Sequence, residues 1–404
     1  MFNAIICRYH EIAIKGKNRN MFENRMIDNL HSMLRQLPPL SIKKIRGRIW
    51  IRKQDESTFT DTELDVIRER MPHAFGLESF SPVIMCEPDI DKLYNIVHET
   101  SRPYFDKQFE KKKVVSFRIR ARRSDKNFPM RSKEVEIKLA TAAGSNYDYD
   151  SLRIDLNDAD ITVGCEVREE FAFIFYETCR APGGLPVGSN APVLSLLSGG
   201  IDSPVACYMT MKRGSAVHYI TFHSSPYTPQ ESIDKVIGIA AALNQFQKPG
   251  VLHICNLAPM QKLIRDNCDG RIRTVLYRRM MFRIAEQVAK KNHLKALLTG
   301  EALGQVASQT VINMGTINAA TDMLVLRPLV GMDKNEVIKI ARDIDTFDLS
   351  NVQVPDSCTV FAPKSPSTSV STGLASHEEE RIPDWQNVMA EIIDNIESIK
   401  PEID

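Results

Sequence analysis

The sequence predicts a multidomain chain, α+β in its first half and α/β in its second: a ferredoxin-like domain over 1–72, a basic domain over 73–178, and a doubly wound parallel sheet over 179–404. Three observations carry this. Strand and helix patterns alternate through the first 70 or so residues, as in small α+β folds. A middle stretch alternates apolar residues with arginines. Beyond a Pro/Gly-rich linker at 180–188, short apolar runs are separated by helical stretches, the pattern of a parallel sheet covered on both faces.

In the first domain, Ala4-Ile5-Ile6-Cys7-Arg8-Tyr9 reads as a strand, and the basic stretch containing Lys15, Lys17 and Arg19 leads into a helix over 21–37 that Pro38-Pro39 ends. Residues 42–52 alternate around Gly47 and Trp50, and 62–71 read as a second helix. In the second domain a helix over 89–100 precedes the strand 115–122, where a period of two puts Arg118, Arg120 and Arg122 on one face. Arg123 and Arg131 extend this basic stretch, and further strands are expected at 152–156, 161–167 and 171–176.

Net charge is only +1, but the charge is segregated. Residues 1–53 hold twelve Lys and Arg against three acids, and 107–138 hold twelve against four, whereas 375–404 carry nine acids and two bases. Two such basic segments suit a protein that grips a polyanion, and an arginine-lined strand suits RNA contact by shape better than a base-reading helix does.

In the third domain the expected strands are 194–197, 217–222, 251–257, 294–299 and 323–326. Directly after the first comes Ser198-Gly199-Gly200-Ile201-Asp202-Ser203, followed by Pro204 and a helical run. Two glycines admit an anion close to the backbone, the serines add donors, and a helix N-terminus adds unpaired N–H groups and a favourable dipole. This is a phosphate cradle. It is not a Walker loop, since no G-x-x-x-x-G-K-[ST] occurs, and no G-x-G-x-x-G occurs either.

Ligands of such sheets lie beyond the carboxyl ends of the strands. There the sequence places the cradle, Thr221-Phe222-His223, and Gly300 to Gln305, so these should share one crevice. A basic helix over 271–291 carries Arg278 and Arg279. Asp333 to Glu336 matches a D-x-x-E cap and puts Lys334 in a first helical turn, where the dipole disfavours a cation and a nearby anion would explain it.

The eight cysteines include no C-x-x-C pair and are expected as thiols. Cys7, Cys165 and Cys255 lie in apolar runs and read as core. Cys358 differs, lying in a loop between Pro355 and Pro363 where a thiol has access. With 43% hydrophobic and 25% charged residues, no apolar stretch of membrane-spanning length and no signal-like N-terminus, a cytoplasmic protein without membrane association is expected.

Ser198–Ser203 resembles the PP-loop of the ATP pyrophosphatase superfamily, whose members split ATP between its α and β phosphates and adenylate an acceptor oxygen. The chain as a whole resembles the tRNA 4-thiouridine synthetase (ThiI, tRNA uracil 4-sulfurtransferase) family. The resemblance runs through Glu11 to Arg19, a THUMP-like RNA-binding middle segment, Leu196-Leu197 and the cradle, Arg278 to Met281, Gly300 to Thr310, Arg327-Pro328-Leu329, Asp333-Lys334 and Cys358.

The resemblance implies that Leu196, Leu197, Thr221, Phe222, Arg278, Gly300 and Gln309 contact ATP, with Ser198, Gly199, Gly200 and Ser203 around its phosphates. Asp202 and Lys334 would serve activation with Mg²⁺, and Cys358 would carry the sulfur. The implied partners are tRNA, modified at the junction of acceptor stem and D-stem, and a cysteine desulfurase or other sulfur donor. A second role in thiamine synthesis, toward a sulfur-carrier protein, is tied in longer members to a rhodanese-like domain that this sequence lacks. A second thiol could be Cys207 or Cys268, and neither spacing nor motif selects one. The oligomeric state is open, a homodimer included. The rival readings are a 2-thiouridine or lysidine synthetase, which leaves the middle segment and Cys358 unexplained, an inactive RNA-binding scaffold, and an amide-forming pyrophosphatase that binds no RNA.

Overall fold

The computed structural model describes residues 1–355 and 360–402, which form two compact units, Met1–Gly184 and Leu185–Asp404. In the first unit one nine-stranded sheet runs, in spatial order, Leu40–Ile45, Arg48–Lys53, Ala4–Arg8, Ser79–Cys86, Ala172–Phe175, Ile161–Val167, Val115–Arg123 and Leu152–Ile154, with Cys179–Arg180 also pairing Ser79–Cys86. The hairpin joining the first two strands turns at Arg46 and Gly47, both at positive φ (47° and 78°), which matches the strand twist. Ser79–Cys86 pairs antiparallel with Ala4–Arg8 on one side and Ala172–Phe175 on the other, so one strand belongs to both halves of the sheet.

Two helices of this unit show why local signals succeed or fail. Asp61–Arg70 begins at a full capping box, Thr60 with Glu63, where a helix from 62 was expected. The helix expected over 21–37 is Arg19–Met33; its last α-type bond runs from Leu34 N–H to Leu30 O, and a tighter turn, Leu37 N–H to Leu34 O, follows before the two prolines are reached. Trp50 anchors the core here, with the rings of Phe171 and Phe173 edge-on at 5.2 Å.

The second unit has a six-stranded sheet in the order Leu324–Leu326, Ala296–Leu298, Leu185–Leu196, Arg213–His223, Leu252–Asn256, Glu397–Ile399. The first five are parallel, as the five apolar runs predicted, and the last is antiparallel. That last strand, Glu-Ser-Ile, is too short and polar to be read from sequence. The expected linker at 180–188 is also corrected: from Leu185 it is already strand. Pro186 and Gly188 are tolerated because pairing is irregular there, with register shifts on either side of Asn190.

Chain order reverses on either side of Leu185–Leu196: the next two strands extend the sheet one way and the following two the other. This is the switch point, where a crevice opens at the strand's carboxyl end. The strand that ends there is the one feeding Ser198–Ser203. Among the described residues no helix is long and apolar enough to cross a membrane.

The basic helix, Arg273–Lys291, runs through the core, and Arg279 is 2% exposed. Its Nε and Nη2 donate to Glu379 Oε1 and Oε2 at 2.7 and 2.9 Å, and Arg283 donates to the same two oxygens at 2.7 and 2.8 Å. The acidic C-terminal stretch is therefore partly the internal counter-charge of this helix. Burial raises the Glu379 pKa, but hydrogen bonds and charge from Arg279 and Arg283 outweigh it and hold the carboxyl below its ordinary 4.5. A depressed acid stabilises the fold fully above that value, and the contribution is lost as pH falls through the folded pKa. Glu379→Ala should cost the unit about 3–5 kcal/mol in urea unfolding at neutral pH, because it strands buried guanidinium charge. A loss below about 1 kcal/mol, the range of a surface pair, would contradict this.

Candidate functional site

Strand Leu185–Leu196 and helix Asp202–Lys212 are joined by the cradle, which is tied to itself: the Ser198 N–H donates to Ser203 Oγ at 3.0 Å, and the two serine hydroxyls lie 3.2 Å apart. Gly300 sits against the start of the helix. A Cβ there would stand 2.6 Å from Ser203 N and 2.7 Å from Asp202 C, so only glycine allows the two backbones this approach.

Above the cradle lies a cavity of about 360 Å³. All eleven residues expected to contact a nucleotide line it: Leu196, Leu197, Ser198, Gly199, Gly200, Ser203, Thr221, Phe222, Arg278, Gly300 and Gln309. Asp202 lines it too. Lys334, expected near an anion, donates to Asp202 Oδ1 at 2.6 Å, and Gln305 Nε2 donates to Oδ2 at 2.8 Å. Asp333 caps the helix Lys334–Asp343 through a capping box with Glu336, so the cap that sequence showed is also what aims the lysine.

Three further features come from the packing around the cavity. Glu301, 2% exposed, accepts from Arg278 Nη1 at 2.9 Å, Arg327 Nε at 2.8 Å and Thr299 Oγ1 at 3.0 Å, which fixes Arg278 at the cavity wall. Gln309 Oε1 is buried without a partner, an acceptor that a ligand donor would satisfy. Lys235, from helix Glu231–Leu243, lines the cavity beside Gly199. Gln309 and the Gly300 to Gln305 stretch were expected at the site, whereas nothing in the local sequence marks Lys235, which is brought in by tertiary packing. His223 also lines the cavity, and burial lowers its pKa.

Among the described residues no cluster of three His, Cys, Asp or Glu side chains could hold a metal ion. Asp202 offers one carboxylate at the cradle. That fits Mg²⁺ arriving with a nucleotide, because Mg²⁺ commonly takes one or two protein carboxylates together with phosphate oxygens and water.

Cys358 lies outside the described residues. Of the alternatives for a second thiol, burial pushes the Cys207 pKa up to about 12 and its Sγ lies 3.1 Å from Ser195 Oγ. Burial, with Glu378 nearby, pushes Cys268 up to about 11. Both are held as thiols, so neither is a ready nucleophile in this conformation.

In the first unit the expected RNA-binding residues divide into two groups. Lys15 pairs with Glu11 at 3.1 Å, and Arg19 donates to Glu23 at 2.7 Å and to the Tyr9 hydroxyl at 2.8 Å. Arg118 donates to Leu156 O and Asn157 O, and Arg123 to Phe128 O and Met130 O, so both brace loops. Lys17, Arg120, Arg122 and Arg131 are exposed. Arg120 still donates to Leu156 O at 2.6 Å, whereas Arg122 joins Arg46, Arg48, Lys126 and Arg168 around a cleft of about 810 Å³.

Three family models match the chain: Thiamine biosynthesis protein (ThiI) over 188–382, ThiI ferredoxin-like domain over 4–81, and THUMP domain over 87–177. A probable tRNA sulfurtransferase of Brevibacillus brevis is 38% identical over 94% of this chain and 92% of its own. One of Moorella thermoacetica is 36% identical over the whole of both chains. Among solved structures, a 4-thiouridine synthetase in complex with RNA and bound ATP superposes with a TM-score of 0.87 at 32% identity, covering all of both chains.

Gly300→Ala forces the cradle away from the strand end, an overpacking that costs about 1–3 kcal/mol and should appear as weaker ATP binding. Gly315→Ala, with nothing within 4 Å of its Cβ, should leave binding unchanged. Equal affinities for the two variants in a calorimetric titration would show that the close approach does not shape the site.

Proposed function

This chain belongs to the ThiI family of tRNA sulfurtransferases, and on that premise we propose that it uses ATP to replace the C4 oxygen of a tRNA uridine with sulfur, giving 4-thiouridine at the junction of acceptor stem and D-stem. The observation that carries the reading is the convergence of the cradle, Thr221, Phe222, Arg278, Gly300 and Gln309 on one cavity at the switch point.

The uridine oxygen is a poor leaving group, so it is first adenylated: O4 bonds to the α-phosphorus and pyrophosphate departs. The cradle and the N-terminus of helix Asp202–Lys212 receive the phosphates in this reading, where fixed dipoles stabilise developing charge. Lys334 adds a cation held in place by Asp202, and Gln305 fixes that carboxylate's other oxygen. Mg²⁺, if carried in with the nucleotide, would be held by Asp202 and would offset phosphate charge. The orphaned Gln309 Oε1 suits the amino group of adenine.

Sulfur then arrives as a persulfide on Cys358, charged by a cysteine desulfurase. Its terminal sulfur bonds to C4, AMP leaves with the original O4, and a thiol reductant opens the remaining S–S bond to leave sulfur on the base. The exposed arginines of the first unit supply phosphate contacts that hold the tRNA by shape, and the uridine leaves its stack to be reached.

The purified protein, given ATP, Mg²⁺, sulfide and unmodified tRNA, should form AMP and 4-thiouridine, read by near-ultraviolet absorbance and nucleoside mass. AMP without 4-thiouridine would favour another adenylating tRNA modifier. Cys358→Ser should keep AMP formation and lose persulfide-dependent thiolation, while Asp202→Ala should lose both. If Cys358→Ser also stopped AMP release with tRNA bound, this division of labour would be wrong. Replacing Arg120 and Arg122 by alanine should weaken tRNA binding and reduce the slope of log affinity against log salt by roughly one per lost phosphate contact. An unchanged slope would remove both residues from the interface.

A further inference from the structure

Nucleotide loops that hold terminal phosphates often carry their own lysine. Ser198–Ser203 has none, but Lys235 reaches it from helix Glu231–Leu243. A Cβ built on Gly199 would lie 3.2 Å from Lys235 Cδ and Cε and 3.4 Å from Nζ, so the stem and ammonium lie along the loop inside the cavity. The same ammonium donates to the carbonyls of Ser350 and Val352, both at 2.8 Å. One turn earlier on the helix, Ser232 Oγ donates to Pro355 O at 2.8 Å. One helix face therefore grips the segment 350–355, and Lys235 touches both that segment and the glycine loop.

A phosphate oxygen carries negative charge that a carbonyl oxygen does not, so Coulomb attraction draws an ammonium beside the loop toward phosphate. Lysine is a point charge on a flexible stem and can change partners at small cost. We propose that Lys235 is a further nucleotide-binding residue of this site. It takes β- and γ-phosphate oxygens of ATP, and in doing so releases the carbonyls of Ser350 and Val352, so that nucleotide arrival loosens the segment leading toward Cys358. The inference rests on the adenylation reading, and it adds a cation that would stabilise the departing pyrophosphate.

The test uses the intact protein, α,β-methylene-ATP and AMP, without tRNA. By calorimetry, Lys235→Met should weaken the ATP analogue by about tenfold or more while AMP stays within about twofold, because only the analogue presents the outer phosphates. Retained AMP affinity certifies that the variant is folded, and Lys235→Arg should recover most of the loss. Hydrogen exchange over 347–355 should rise when wild type binds the analogue, and should be high in Lys235→Met with or without it. Equal weakening of both nucleotides, no weakening of either, or exchange in wild type that ignores the analogue would overturn the proposal. A wild type that binds neither nucleotide would overturn the adenylation reading itself, and this one with it.

Discussion

The contact on which the second unit's site depends is the approach of Gly300 to the backbone of Asp202 and Ser203. The cradle is short, and what turns it into a wall of a cavity is the neighbouring strand end pressed directly against it at 2.6–2.8 Å from where a side chain would begin. The topology makes the approach available, since Leu185–Leu196 and Ala296–Leu298 are adjacent parallel strands across the switch point. From this contact follow the positions of Glu301, one residue on, and of Arg278, which Glu301 holds. Asp202, at the other side of the contact, is fixed in turn by Gln305 and Lys334.

Charge is organised as tightly as packing. The near-zero net charge divides into a basic first unit and a second unit that neutralises its own basic helix with Glu379. A buried carboxylate shared by two arginines is favourable only because its lone pairs are filled on every side. In the first unit Lys17, Arg120, Arg122 and Arg131 stay exposed, where they can meet a polyanion.

Much of this was legible beforehand, for identifiable reasons. The central parallel strands are buried on both faces and so appear as apolar runs, while the edge strand Leu324–Leu326 is apolar though partly exposed; the cradle announces itself through residue types with few other uses in sequence. The cap at Asp333 even located Lys334. Tertiary partners were less legible: Gly300 to Gln305 and Gln309 were expected at the site, but the bonds Glu301 makes to Arg278 and Arg327, and the presence of Lys235, come only from what packs opposite. The linker reading failed at Leu185 because Pro186 and Gly188 signal a break locally, while an irregular register lets the strand continue past them. Among the arginines, composition could not separate those that brace loops, Arg118 and Arg123, from those left to solvent.

The central claim is that the uridine oxygen itself is activated as an adenylate before sulfur replaces it. The most direct measurement follows that atom. With tRNA carrying ¹⁸O at C4 of the target uridine, mass analysis of the nucleotide product should find one ¹⁸O in AMP for each 4-thiouridine formed. Unlabelled AMP alongside 4-thiouridine, with the label released to water, would contradict the account.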